Sequence, residues 1–254
     1  MYKRQELSEK EILDTVRDIR HEAPGIGAYK LYLMLKELYP DGMRGRDWFY
    51  GLMHESHLML KLGKRRHTTS SNHPYRKYKN MIKGLTVNRI NQLWVADITY
   101  IDTDEGVAYL HLLTDAFTHE IIGWVLSDSL VASNTVTALE MGISHVSPLG
   151  FDGLIHHSDR GVQYCCNQYI DRLQAIKATI SMTEDYKPTD NAIAERVNGI
   201  IKQEWLYRMK RPPDVVVARD LLGRIIGFYN NRRPQRSNRD MLPPVRFREA
   251  LTCM

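Results

Sequence analysis

The chain has 254 residues, of which 43% are hydrophobic and 26% charged, and carries a formal net charge of +5. Such a composition excludes a disordered or fibrous protein and suits one sizeable core with a smaller module. Apolar runs such as 107–113 and 121–126 fall far short of the roughly 18 residues of a membrane span, so a soluble protein is expected.

No charged start followed by an apolar segment and a small-residue cleavage site is present, so a cytoplasmic location is the default expectation. Cys165 and Cys166 are adjacent and Cys253 is the penultimate residue, matching neither a disulfide framework nor the CxxC spacing of structural zinc. The first five residues, MYKRQ, read like a translated sequencing-adapter end and are set aside as a fusion scar.

From the N-terminus, residues 6–60 are expected to form a small helical module. Ile12, Val16 and Ile19 stand at helical spacing after Ser8, an N-cap residue with Glu11 three places on. Pro24 and Gly25 interrupt before Leu31, Leu35 and Leu38, and residues 40–45 interrupt again before 48–54. Three short helices in this order suit a helix-turn-helix-like DNA-binding module. A three-helix bundle that binds a protein partner is the alternative left open by the pattern.

Residues 61–89 read as a basic linker. Between 61 and 83 stand Lys61, Lys64, Arg65, Arg66, Arg76, Lys77, Lys79 and Lys83 with no acidic residue, so the rest of the chain sums to 5 − 8 = −3. Tyr75 and Tyr78 lie among these cations. The combination suits a segment that follows a phosphate backbone, and equally a solvated tether.

From residue 90 to about 210 the pattern is that of an α/β domain. Three short β-rich runs (94–101, 107–114 and 120–126) predict an antiparallel meander. Then come a helix over 133–145, a strand over 154–157, a helix over 163–173, a strand over 178–182 and a long helix over 190–207. Strands first and strand-helix alternation afterwards predict a mixed five-stranded sheet flanked by helices. Residues 211–254 form a basic, proline-punctuated tail with one helix over 216–229.

Three carboxylates stand out. Asp97 interrupts the apolar run WVADITYI (94–101), where a half-buried strand does not tolerate an uncompensated charge. Asp159 follows a strand directly, in HSDRGVQY (157–164), at the strand end where α/β folds place ligands. Glu195 lies on a helix whose Ile193, Val197, Ile200 and Ile201 make an apolar face; Asn191, Glu195, Asn198 and Lys202 make a second, polar stripe. Taken singly, each acid has an ordinary structural explanation.

Jointly, two aspartates and a glutamate on separate elements are the oxygen donor set that hard cations require. Two such ions about 4 Å apart can activate a water or a 3′ hydroxyl and stabilise the leaving oxygen of a phosphodiester displacement. Among the other acids, Asp190 reads as a helix cap and Asp115 as structural, while Glu204 lies more than two helical turns beyond Glu195. His157 and the two asparagines, Asn191 and Asn198, are candidates for supporting contacts around the ligands, with a backbone-bonded strand-end histidine the alternative for His157. Arg160, Lys187, Arg196 and Lys202 flank the acids and suit phosphate contacts or salt bridges. Tyr164 and Trp205 read as core or rim aromatics.

At these residues the sequence resembles the insertion-sequence transposases of the DDE class (OrfB type), within the retroviral integrase superfamily. The resemblance is carried by WVADITYI, HSDRGVQY, Ser181-Met182, DNAIAE (190–195), KQE (202–204) and YNNRRP (229–234), and by the 35 residues between Asp159 and Glu195. It covers residues 90–250, and the N-terminal helices resemble the module that precedes such cores.

The resemblance implies a ribonuclease-H-like fold in which Asp97, Asp159 and Glu195 are catalytic and metal-binding. It implies Mg²⁺ or Mn²⁺ as two-ion cofactor, transposon-end and target DNA as partners, action at the bacterial nucleoid and a homo-oligomeric synaptic complex. A DNA-binding polypeptide from an overlapping upstream frame is a further expectation. The activity implied is metal-dependent cleavage and strand transfer. A DNA-binding protein with an inactive core, or a nuclease that only hydrolyses, remain alternatives. Two departures from the family pattern are that Gln235 rather than histidine follows the Arg-Pro of the tail, and that residues 183–189 lack the usual glycine.

Overall fold

The computed structural model describes residues 7–60, 75–146, 149–184 and 191–252. The adapter-like start, Lys61, Lys64, Arg65, Arg66, Lys187, Asp190 and Cys253 lie outside the described residues.

Helices α1 (Glu9–Glu22), α2 (Ala28–Leu38) and α3 (Arg46–Glu55) occupy the N-terminal part. Ser8 caps α1 through a complete capping box with Glu11, which satisfies two of the amides that every helix start leaves open. Ile12, Val16 and Ile19 are its buried face.

The sheet is built from β1 (Leu93–Thr103), β2 (Gly106–Asp115), β3 (Ile121–Ser127), β4 (Ile155–Ser158) and β5 (Thr179–Met182), in the order β3-β2-β1-β4-β5. The first three strands are antiparallel, and β4 and β5 run parallel to β1. This is the mixed five-stranded sheet expected of a ribonuclease-H-like core. Helices α4 (Ala132–Val146), α5 (Val162–Cys165) and α6 (Asn167–Ala175) pack on one face. Helices α7 (Ala192–Glu204) and α8 (Val215–Asn231) lie on the other, and α9 (Pro244–Thr252) packs against α8.

Alternation along β1 divides the two faces. Trp94 and Ala96 enter the core beneath α4 and α6, whereas Ile101 enters a second core shared with Leu110, Leu112, Val197, Ile200 and Trp205. That second core continues without a break into Ile12, Val16, Leu31, Leu35 and Phe49 of the N-terminal helices. The helical module and the sheet domain therefore share one apolar interior. Its approach is close at Gly25, where an added Cβ would stand 2.4 Å from the Cα of Glu204.

Three sequence expectations need adjustment. The helix expected over 163–173 is broken at Cys166, whose ψ of 148° is extended, dividing it into α5 and α6. The long helix expected over 190–207 is helical over α7 and then tightens into a 3-10 turn at Leu206–Arg208. The tail contains a further helix, α9, begun by Pro244; proline is compatible with a first helical turn because the amide it lacks has no partner there.

Candidate active site

The parallel pairing of β1 with β4 sets Leu93, Trp94 and Val95 beside Ile155, His156 and His157. Asp159 follows the last residue of β4, the strand next to the one that carries Asp97, and its charge acts on Asp97 through space. The first carboxylate sits within β1 and the second just past the carboxyl end of β4. Asp159 Oδ1 accepts the backbone N–H of Gly161 at 2.9 Å, which holds the turn that leads into α5.

Helix α7 crosses this end of the sheet. Asn198 is buried and donates from Nδ2 to Asp97 Oδ2 at 2.6 Å. Asn191, also buried, donates from Nδ2 to the carbonyl of Ala96 at 3.1 Å. The two asparagines tie both ends of the first helical turns to the strand that carries Asp97. Glu195, one turn before Asn198, is exposed.

Burial pushes the pKa of Asp97 up to about 7, helped by the negative charges of Asp159 and Glu195 and opposed by the Asn198 hydrogen bond. Glu195 is thus near enough to act on Asp97 through space. Among the described residues, no three His, Cys, Asp or Glu side chains converge on one point. The structure brings Asp97 and Asp159 together and leaves Glu195 at the rim.

The other residues singled out in the sequence fall into three groups. His157 is fully buried, with Nδ1 at 2.8 Å from Ser181 Oγ. That hydroxyl oxygen also accepts the N–H of Met81 at 2.8 Å. Residues 75–83 are tied to the edge of β5: the Asn80 N–H donates to Glu184 Oε1 at 3.0 Å, the Met182 N–H to the Lys79 carbonyl at 3.3 Å, and Lys83 pairs with Glu184 at 2.6 Å. Arg76, Lys77 and Lys79 are exposed along this stretch, and Lys77 acts through space on Cys165, the last residue of α5. The described part of the basic linker therefore borders the same end of the domain as the carboxylates.

Arg196 is exposed on α7, and Arg160, half-buried, acts on both Glu184 and Cys165. Lys202 is half-buried and its pKa is lowered by burial, against the pull of Asp97 and Asp102. Asp115 is wholly buried and accepts from the backbone of Asn91, Phe117 and Thr118. It organises a turn and takes no part in the carboxylate cluster.

Two features escaped the sequence reading. Glu204 is paired on Oε1 and Oε2 with Nη2 and Nε of Arg233, both at 2.8 Å, and with Lys30 Nζ at 2.7 Å. The cluster joins α2, the end of α7 and the tail, and only their convergence in space makes it visible. The second is the hydroxyl of Tyr164, which is buried without a hydrogen-bond partner among the described residues.

With this geometry in place, comparison with known proteins identifies the domain. Two family models, both described as integrase core domain, match residues 87–188 and 176–244. An insertion element IS600 protein of 31 kDa from Shigella sonnei is 34% identical over 211 residues, covering 81% of this chain and 75% of that protein. The transposase of insertion sequence element IS904 from Lactococcus lactis is 30% identical over 237 residues, or 89% of each chain. A putative transposase of IS986/IS6110 from Mycobacterium tuberculosis is 33% identical over 163 residues, with 63% of this chain and 58% of that one aligned. Among solved structures, the HTLV-2 integrase catalytic core domain in complex with magnesium is similar over 62% of this chain and 96% of that one, at 17% identity and a TM-score of 0.48. The chain belongs to the insertion-sequence transposases of the retroviral-integrase type, the DDE-class polynucleotidyl transferases.

Proposed function

We propose that this protein cleaves transposon-end DNA and joins it to target DNA, with Asp97, Asp159 and Glu195 as the catalytic and metal-holding carboxylates. The observation that carries this reading is the convergence of Asp97, within β1, and Asp159, just past the parallel strand β4, close enough for each charge to act on the other, beside a helix that presents Glu195 one turn from the Asn198 contact.

The donor set fits a divalent cation. All three groups are carboxylate oxygens, as Mg²⁺ and Mn²⁺ prefer. Burial first, and then the repulsion of Asp159 and Glu195, raise the pKa of Asp97, and a bound cation would offset both. When bound, one or two such ions supply activation of the attacking hydroxyl and stabilisation of the leaving oxygen. The protein's own part is positional. Asn198 and Asn191 hold α7 against β1, and Gly161 holds the Asp159 turn. Glu195 has the side-chain length to swing from the rim towards the pair.

DNA is the proposed substrate, contacted through the helical module and the basic linker 61–89, including Lys61, Lys64, Arg65, Arg66, Arg76, Lys77 and Lys79. Arg160, Arg196 and Lys202 are proposed phosphate contacts around the carboxylates. Assembly into a homo-oligomeric synaptic complex, together with a DNA-binding polypeptide from an upstream frame, completes the reading.

Incubation of the protein with Mg²⁺ and labelled terminal-repeat DNA is expected to yield metal-dependent nicks and joined products. Nicks without joined products would indicate a nuclease; binding without either would indicate an inactive core. Asp97→Asn, Asp159→Asn and Glu195→Gln are each expected to reduce products to the no-protein background while retaining DNA binding in a mobility-shift assay. Undiminished strand transfer in any one of them removes that residue from the metal site.

A further inference from the structure

Tyr164 stands on α5, five residues after Asp159, with only 2% of its surface exposed. Its ring is fixed from two sides. Tyr169 packs edge-on at 5.5 Å between centroids, and the Cδ2 edge lies at Gly161, where an added Cβ would stand 3.7 Å from it and 3.0 Å from Asp159 Oδ1. A side chain at position 161 would crowd Asp159 Oδ1 while only touching the tyrosine ring.

The two buried tyrosines of this cluster are treated differently. The hydroxyl of Tyr169 is bonded to His156 Nε2 at 2.8 Å, whereas that of Tyr164 has no hydrogen-bond partner among the described residues. An unmade buried hydrogen bond is costly, and such exceptions call for an explanation. Nothing in the apolar packing requires that hydroxyl, since phenylalanine would fill the same space. Burial, and after it the charges of Asp97 and Asp159 acting through space together with Tyr169, raise its pKa well above the ordinary value. It therefore remains a neutral donor within electrostatic reach of two carboxylates.

We infer that Tyr164 is a positioning residue for the carboxylate pair, its hydroxyl donating a hydrogen bond to the Asp97 and Asp159 cluster when a divalent cation is held there. The inference rests on the metal-holding role proposed above. Supporting hydrogen bonds of this kind orient ligand carboxylates and are commonly worth about 10–100-fold in metal affinity.

The test is Mn²⁺ binding by calorimetry on the full chain, alongside the metal-free melting temperature. Tyr164→Phe keeps the ring and deletes only the unpaired hydroxyl, so its metal-free melting temperature is expected to equal or exceed that of the wild type. Its Mn²⁺ affinity is expected to fall by about tenfold or more. Tyr169→Phe loses a hydrogen bond that is already made, so it should melt earlier with Mn²⁺ affinity unchanged. Wild-type Mn²⁺ affinity in Tyr164→Phe, or an equal loss in Tyr169→Phe, overturns the inference while leaving the carboxylate site standing. Equal Mn²⁺ binding by wild type and Asp97→Asn overturns the metal site itself, and the inference with it.

Discussion

Asp97 carries a conflict of charge that its neighbours resolve only in part. It faces Asp159 from an adjacent strand, is partly shielded from water, and has the Asn198 amide as its side-chain donor. Its pKa near 7 lies above the ordinary value of 3.8, so the metal-free folded protein retains a proton that the unfolded chain releases. The corresponding stability is fully present below about pH 4 and is lost as pH rises through about 7. At about 1.4 kcal/mol per unit, the effect amounts to a few kcal/mol at most. Asp97→Asn removes it, so without metal the variant is expected to gain on the wild type between pH 5 and pH 8, as read by denaturant titration across that range. Parallel stability curves for the two proteins would show that Asp97 titrates as an ordinary aspartate.

At the scale of elements, α4 is seated on the sheet by glycines on both partners. A Cβ on Gly123 of β3 would stand 2.0 Å from the carbonyl oxygen of Ala138, and one on Gly142 of α4 would stand 2.6 Å from Leu113 Cδ2. Gly123→Ala must push helix and strand apart, and is expected to cost about 1–3 kcal/mol or more. The measurement is a melting curve, with a loss below about 0.5 kcal/mol showing that α4 shifts freely. This contact lies on the sheet face opposite α7, so the Asp97 and Asn198 hydrogen bond should survive in the folded fraction. Element type along the chain was legible because the periods are unambiguous in β1 to β3 and in α7. Breaks such as Cys166 were not, because the apolar spacing of α5 and α6 runs through the extended residue. The helix α9 was hidden because its proline reads as a breaker unless its place in the first turn is known.

Across the whole molecule, Glu204 is the point at which three parts meet. It is held below the ordinary carboxylate range because Arg233 and Lys30 outweigh its burial, while burial and Arg233 push Lys30 down to about 8. Trp205, the next residue, is fully buried and donates from Nε1 to the carbonyl of Glu22 at 2.8 Å. The KQE and YNNRRP segments are thus joined in one buried ion cluster that also grips the helical module. Glu204→Gln leaves Arg233, only 2% exposed, without its counter-charge. Removing one partner from such a pair costs about 3–5 kcal/mol. Helical module and sheet domain are expected to destabilise together in a single transition, followed by circular dichroism and tryptophan fluorescence. Separate transitions, or a loss below about 1 kcal/mol, would show that the cluster does not unite them.

By itself the sequence determined the order and type of most elements, the identity of the three acids and the family to which they belong. Each of these is written in local patterns: periodicity, caps, and motifs of fixed spacing. Tertiary structure alone decided that Asp159 comes beside Asp97, that Asn198 rather than Glu195 touches Asp97, and that Glu204 belongs to Arg233 and Lys30. Those partners stand up to 174 positions apart in the chain, and no local pattern encodes which distant groups share a buried, low-dielectric space. The carboxylates were recognisable as a combination; their charge conflict, and the unpaired hydroxyl of Tyr164 near them, exist only once the strands and helices have closed around them.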